Sequence, residues 1–253
     1  MTIEGLNSWA LSSLLLGLRI APVFLFAPPF SLIRMPRLFH ILFGFGLAAC
    51  LVSANPQAML AADAGFGEVI LAAFRELALG AMFVLAFQLP FAALYFAGRT
   101  IDVQAGYGLA LLIDPTSRAQ TPLVGTLFAY AAAAIFFAAN GHIDLLRLFS
   151  ASLEGIPIGA WTMPATIERL TAFISIVFLL AFGVAGAAVL VLFLIDLIIA
   201  LLSRTVLQMN VLILGFQVKT IVLLLVLPVS FGLGGAILLR LMAYTLQAIP
   251  GLL

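Results

Sequence analysis

The side chains of this sequence that could act as metal ligands or nucleophiles are few and lie far apart. His40 and His142 stand in different parts of the chain, and neither has a cysteine or carboxylate at metal-ligand spacing. Cys50 is the only cysteine and sits in an apolar run, so it forms no intrachain disulfide and we expect it to be a small buried residue. The residue types therefore predict no metal site.

Catalytic motifs are also missing from the sequence. It contains no HExxH pair for a zinc protease, and the glycines at 106 and 108 lack the further residues of a dinucleotide loop or a P-loop. Asp102, Asp114 and Asp196 lack the glycine-rich surroundings that an aspartyl intramembrane protease would need. We therefore predict that the chain is not an enzyme and needs no cofactor.

The composition predicts a membrane protein. Of the 253 residues 65% are hydrophobic and only 8% are charged, whereas a soluble domain is roughly half apolar and about a quarter charged. The formal net charge is +1 and the basic residues are dispersed, so no basic patch argues for a nucleic-acid partner or for anionic lipid headgroups. We expect an all-α, polytopic protein of long kinked helices and helical hairpins, forming one integral membrane unit over residues 1–253.

Ionic residues inside apolar runs are the next signal, because they are costly in lipid and need partners. Arg19 should turn toward protein, a partner subunit or water. The adjacent residues Arg75 and Glu76 diverge by about 100° on a helix, so each needs its own partner. Asp196 needs a partner such as Arg204, Lys219 or a residue of another subunit. We interpret seven polar residues as a structural charge network or subunit interface, with a proton path as the alternative: Arg75, Glu76, Asp196, Arg204, Gln208, Asn210 and Lys219.

The apolar runs also predict the helices that position these groups. A helix from Glu68 to Asp102 exceeds one bilayer crossing, and Pro90 should kink it. The run from 165 to 204 fits either a two-helix hairpin or one long helix, because Gly183 and Gly186 mark either a turn or a packing patch. Arg240 is expected to begin the tail.

Shorter segments carry further expectations. In the run 38–53, Gly44, Gly46 and Ala48 predict a small-residue face that packs on another helix. Asn140 and Gly141 should end an apolar helix, and a short amphipathic piece with Asp144 and Arg147 on one side should follow. Trp161 is expected at a membrane boundary.

The central segment 102–122 concentrates polar side chains and glycines in an otherwise apolar sequence. Unpaired backbone groups in lipid are costly, so this segment must be buried in protein or line an aqueous space. We predict that it lines or closes a path. The alternative is that residues 107–113 are an ordinary helix end packed in a core, and Arg99 is expected to pair locally with Asp102, three positions away.

Four groups of residues together resemble a known family. They are Arg19 with Pro28, Pro36 and Arg37; the segment Gly106 to Pro115; Asn140-Gly141-His142 followed by Ser150 and Pro157; and a C-terminal group of Ser203-Arg204, Gln208-Met209-Asn210, Leu214-Gly215-Phe216 and Lys219. On these residues the chain resembles the flagellar biosynthesis protein FliR family of the type III export gate. Leu207 and Gln217 occupy two positions where the family pattern usually has proline.

The resemblance implies a fold, partners and a location. One FliR-like chain assembles with several FliP-like and FliQ-like chains, and with other export apparatus proteins, into a helical channel for unfolded flagellar subunits. It lies in the bacterial inner membrane, in contact with membrane lipid, at the flagellum basal body. Residues 1–160 would be the FliP-like part with the central loop 102–122, and 161–253 a FliQ-like hairpin.

The same resemblance implies that the central loop contributes a plug that closes the pore. A ring of apolar side chains held by glycines suits this role, because it excludes ions yet separates without breaking strong polar bonds. The predicted plug comprises Gly106, Tyr107, Gly108, Leu109, Ala110, Leu111, Leu112, Ile113, Asp114 and Pro115.

Two other functions remain as alternatives. The equivalent gate subunit of a virulence type III secretion system shares much of the C-terminal pattern. A secondary transporter of a small solute would show repeats with broken helices at matching positions, but Pro90 in the first half has no counterpart in the second.

Overall fold

The computed structural model of the protein describes residues 3–60, 65–107, 122–162, 167–205 and 211–252. Within these ranges the chain forms α-helices and two short 3-10 turns, and no β-strand. The turns are Phe30–Leu32 and Pro56–Ala58. The helices are α1 (Ile3–Phe26), α2 (Arg37–Ala54), α3 (Phe66–Ala105), α4 (Leu123–Ala138), α5 (Gly141–Gly155), α6 (Ile167–Thr205) and α7 (Val211–Leu252).

Most of these helices are long and apolar enough to cross a membrane. Five described helices qualify, namely α1, α2, α3, α6 and α7. The shorter α4 and α5 are bent by 72° where they meet, and together they would make a sixth crossing or a re-entrant pair. Asn140 lies at this bend in the left-handed conformation, with φ of 60°. The predicted all-α multi-pass membrane protein is confirmed, and so is the stop signal at Asn140.

Helices α6 and α7 test the expectations for the run 165–204 and for the tail at Arg240. Residues 167–205 form one helix, so Gly183 and Gly186 lie inside it and do not form a turn. Helix α7 continues past Arg240 to Leu252, so the expected tail at Arg240 is wrong. A single exposed arginine does not end a helix, because its long side chain can extend away from the apolar face.

The chain groups into two compact, discontinuous units. The first comprises residues 1–89, 136–173 and 243–253, and the second comprises residues 90–135 and 174–242. Helix α3 passes from one unit to the other at Pro90 without interruption. The predicted division near residue 160 rests on likeness to other subunits, which these units do not test, and it stays a prediction.

In the first unit, α2 packs closely on α1. A Cβ atom on Gly44 would lie 2.5 Å from the Cα of Ala21, and Ala48 is fully buried, so the predicted small-residue face is confirmed there. Gly46 instead faces open space. Cys50, on the same helix, is exposed and not buried as expected. Most of α2 turns away from this unit, which leaves its outer face available to lipid or to a partner.

In the second unit, α6 and α7 run antiparallel. A Cβ on Gly234 would lie 3.1 Å from Val184, whereas one on Gly215 would lie 3.6 Å from Ile199. The contacting residue numbers therefore increase along α6 while they decrease along α7, which is the pattern of a helical hairpin. Helix α3 meets α4 even more closely, because a Cβ on Gly98 would lie 2.2 Å from the backbone of Gly125.

Candidate functional site

The C-terminal end of α3 leads into the central loop through a defined cap. Gly106 has φ of 91°, a conformation that glycine adopts without a Cβ penalty. The backbone N–H of Tyr107 donates to the carbonyl of Asp102 at 2.9 Å, and that of Gly106 donates to Val103 at 3.1 Å. This pair of bonds is the Schellman motif, which satisfies helix carbonyls that otherwise lack partners. The direction in which the loop leaves α3 is therefore fixed.

Lys219 of α7 holds the same helix end from the side. Its Nζ donates to the backbone carbonyl of Gln104 at 3.0 Å and also pairs with the carboxylate of Asp196 on α6. A cation at a helix C-terminus is favoured by the helix dipole and by the unpaired carbonyls there. The ring of Tyr107 meets Phe216 edge-on, with centroids 6.2 Å apart. The hairpin of α6 and α7 is thus tied to the beginning of the loop.

The far end of the loop is held by Asp102. Both oxygens of its carboxylate accept the backbone N–H of Val124, at 3.2 and 3.3 Å. Val124 lies in the first turn of α4, where N–H groups lack helical partners and a negative charge is favoured. Only 7% of the surface of Asp102 is exposed, so water competes little for this bond. The expected local pair with Arg99 stays a prediction.

We call this set of residues of the second unit the loop-anchor cluster. It fixes the two ends of the central loop, between which lie residues 108–121, outside the described residues. Gly106 and Tyr107 of the predicted plug therefore belong to the cluster, whereas Gly108 to Pro115 lie outside the described part of the chain. The cluster consists of Asp102, Gln104, Gly106, Tyr107, Val124, Asp196, Phe216 and Lys219.

The remaining charged residues form a separate cluster in the first unit. Arg19 is fully buried and makes a forked ion pair with Glu76, with Nε to Oε2 at 2.7 Å and Nη2 to Oε1 at 2.9 Å. Its other N–H groups donate to the hydroxyl and carbonyl of Ser152 and to the carbonyl of Ile156, at 2.8 to 3.1 Å. All five guanidinium hydrogens therefore have acceptors.

Gly159 completes this Arg19 cluster. Its backbone N–H donates to Glu76 at 2.8 Å, and its carbonyl accepts from Arg75 at 2.8 Å. Its φ is 77°, and a Cβ there would lie 2.8 Å from that of Ala72. The sequence neighbours Arg75 and Glu76 thus hydrogen-bond to the carbonyl and to the N–H of the same loop residue. The nearby Trp161 is buried within the protein, and its expected place at a membrane boundary stays a prediction.

The structure brings together only part of the predicted charge network. Asp196 and Lys219 pair in the second unit, and Arg75 and Glu76 belong to the Arg19 cluster in the first. Arg204 is exposed in the last turn of α6 and belongs to neither cluster. Gln208 and Asn210 lie outside the described residues. The network's role as a subunit interface stays a prediction.

Sequence reasoning named no partner for Arg19, and it missed three members of the Arg19 cluster: Ser152, Ile156 and Gly159. The usable signal was the ionic pairing rule, because Arg19 and Glu76 are opposite charges within apolar helices and each needs a partner. Ser152 and Gly159 act partly or wholly through backbone groups, which a sequence does not reveal.

A search of protein families gives a match over most of the chain. The profile of a family described as bacterial export proteins, family 1, matches residues 10–245. The flagellar biosynthetic protein FliR of Bacillus subtilis is 32% identical over 198 residues, which cover 76% of this chain and 75% of that protein.

Two further relatives match over about half of their length. FliR of Escherichia coli is 28% identical over 133 residues, covering 52% of this chain and 51% of that protein. The Yop proteins translocation protein T of Yersinia pestis is 30% identical over 134 residues, covering 51% of each. The similar sequences therefore include both flagellar biosynthetic proteins and a Yop proteins translocation protein.

Proposed function

The chain belongs to the bacterial export proteins of family 1, and from this membership we infer that it is a component of a type III protein export gate. It helps to form and close the channel through which unfolded flagellar subunits cross the inner membrane. The flagellar assignment rests on the length of similarity, because the flagellar relative from Bacillus subtilis matches 76% of the chain and the Yersinia protein 51%. The virulence gate subunit is the second candidate, favoured by that Yersinia relative.

The chain is a multi-pass membrane protein, as its long apolar helices require. We place it in the bacterial inner membrane, at the flagellum basal body, because flagellar export begins in the cytoplasm. It works with other components of the export apparatus, as family membership implies.

The direct partners proposed are FliP-like and FliQ-like membrane proteins. Residues 161–253 would form the FliQ-like part, and the antiparallel pairing of α6 with α7 supports this division. Residues 1–160 would form the FliP-like part. Apolar side chains exposed on both helices of the hairpin, such as Leu190, Phe193 and Leu225, give sister subunits a surface to cover.

The observation that carries the gate proposal is the loop-anchor cluster. A plug must stay seated while its apolar tip blocks the path, so both ends of the loop need fixed attachments. Asp102 and Lys219 supply one attachment at each end. In the isolated chain Lys219 and Asp196 keep 18% and 42% of their side chains exposed, and an ion pair that water can reach would be weak enough to break when the channel opens. The plug would then comprise the residues 106–115, and the pairing would be structural.

The composition of the purified assembly tests this function. The tagged chain is extracted in mild detergent, and the mass and subunits of the particle are determined by native mass spectrometry. We expect one copy of this chain with several copies of two smaller membrane proteins, one FliP-like and one FliQ-like. A lone monomer that binds a small solute would support the secondary transporter and refute the gate. No catalytic activity is proposed.

A further inference from the structure

An apolar pocket opens in the first unit and belongs to neither cluster. It has a volume of about 270 Å³ and lies between the segment after α1, the first turns of α2 and the junction of α4 with α5. Apart from two histidines its lining is aliphatic, aromatic or methionine, with Phe30, Phe43 and Phe137 among the aromatic rings. This volume is near the lower limit for small-molecule pockets, and it suits a flexible hydrocarbon segment.

The outer wall of the pocket is open. Ile33, Met35 and Phe39 line it and are 43%, 47% and 52% exposed. Exposed apolar side chains around a concave site give lipid or an apolar partner a surface to cover. Ile33 and Met35 lie in the irregular chain between α1 and α2, and Phe39 lies in the first turn of α2. The wall is therefore not one flat helix face, so it fits a narrow occupant better than a second helix.

One polar atom in the lining has no partner. The Nδ1 of His142 is buried and makes no hydrogen bond within the described residues, although the imidazole packs near Phe137, with ring centroids 5.9 Å apart. A buried polar atom without a partner is costly, and a single polar group in an apolar pocket commonly orients the ligand. The occupant should therefore carry a hydrogen-bonding group next to its hydrocarbon.

The charge beside the pocket is positive. Arg34 and Arg37 are exposed and lie within the stretch that forms the outer wall, and neither makes an ion pair within 4.0 Å among the described residues. The nearest carboxylate in sequence to His142 is that of Asp144, which is already paired with Arg147 at 3.0 Å. Arg34 lies in the chain between the lining residues Ile33 and Met35, and Arg37 lies two residues before Phe39. These two exposed basic residues complement a ligand with an anionic head.

We propose that this pocket binds one anionic membrane phospholipid. One acyl chain fills the cavity, an ester carbonyl accepts a hydrogen bond from Nδ1 of His142, and the phosphate lies against Arg34 and Arg37. An apolar segment of a neighbouring subunit would also fill the cavity, but it would give neither arginine an anionic partner. This inference does not depend on the gate function, since it rests on a separate part of the chain.

Native mass spectrometry of the purified full-length assembly tests the proposal. The delipidated particle is titrated with phosphatidylglycerol or with phosphatidylcholine of identical acyl chains. We expect one tightly held phosphatidylglycerol per copy of this chain and at least fivefold weaker binding of phosphatidylcholine. Arg34→Gln and Arg37→Gln should each weaken the phosphatidylglycerol site about fivefold, as expected for one basic residue near a lipid phosphate. Arg240→Gln, which removes an exposed arginine elsewhere, should leave it unchanged.

Equal binding of both lipids, or equal effects of all three arginine changes, would overturn the proposal. Filling the cavity with Ile33→Trp should abolish the tight site, and the arginine variants decide the question if that protein does not assemble. A photo-reactive benzoylphenylalanine at Phe39 separates the occupants. Cross-linking in cells should add the mass of one phospholipid to this chain, whereas a cross-link to protein would show that a subunit covers the pocket.

Discussion

Replacing Lys219 by methionine tests whether the loop-anchor cluster holds the channel closed. The change removes the Nζ that donates to Gln104 at 3.0 Å and that pairs with Asp196, while methionine keeps a similar unbranched stem. A hydrogen bond with a charged donor contributes about 1.5–3 kcal/mol, and a partly exposed ion pair adds about 0–1 kcal/mol. Losing the hydrogen bond to Gln104 alone shifts the closed-to-open equilibrium by about 10- to 150-fold.

The assay is the ionic conductance of the purified assembly in planar bilayers at fixed voltage, with the particle mass checked for each variant. We expect Lys219→Met to raise the open fraction at least tenfold. Asp196→Asn is the matched control, because it removes the ion pair but leaves the bond from Nζ to the Gln104 carbonyl, so its effect should stay below about fivefold. Unchanged conductance in intact Lys219→Met particles would show that Lys219 does not hold the channel closed, and equal effects of the two changes would show that the carbonyl bond contributes nothing.

Two further predictions concern stability, measured as thermal unfolding of the detergent-solubilised protein. Arg19→Met should lower the free energy of unfolding by about 3–5 kcal/mol, because it leaves the fully buried carboxylate of Glu76 without its cation. The double change Arg19→Met with Glu76→Met should cost less than Arg19→Met alone, and a greater cost for the double change would contradict this. Gly98→Ala should destabilise the protein by about 1–3 kcal/mol, because its Cβ would lie 2.2 Å from Gly125. The control Gly67→Ala meets nothing within 4 Å and should be neutral or slightly stabilising. Equal stability of the two variants would count against the tight contact between α3 and α4.

The sequence predicted which charged residues need a partner better than it predicted which residue the partner is. Asp196 lies deep in an apolar run, so it needed a specific partner, and Lys219 was one of the candidates, beside Arg204 and a residue of another subunit. Arg19 was predicted to turn toward protein, a partner subunit or water, but Glu76 lies far along the chain and nothing local connects the two. The fork between them requires α1 and α3 to pack closely, which Gly80 permits, because a Cβ there would lie 2.7 Å from the carbonyl oxygen of Arg19.

Helix ends and helix continuity were predictable to different degrees. Asn140 and Gly106 are residue types that adopt left-handed backbone conformations, and both occupy helix ends as their chemistry favours. Gly183 was ambiguous, because a glycine inside an apolar run fits a turn or a packing contact equally well. The cap that Asp102 supplies to α4 was missed, since it joins two helices across a loop and requires their tertiary contact.

Closure of a conduit by the central loop is the property on which the proposed function depends most. Deleting Gly106 to Ile113 removes the capped exit from α3 and the apolar part of the predicted plug, while Asp102 and Lys219 remain in the chain. The direct measurement is the resting ion conductance of the reconstituted, correctly assembled complex with and without this deletion. We expect a silent complex that becomes continuously conducting when the segment is removed. A deleted complex that assembles and still holds ions back as well as the intact one would show that the loop does not close the channel.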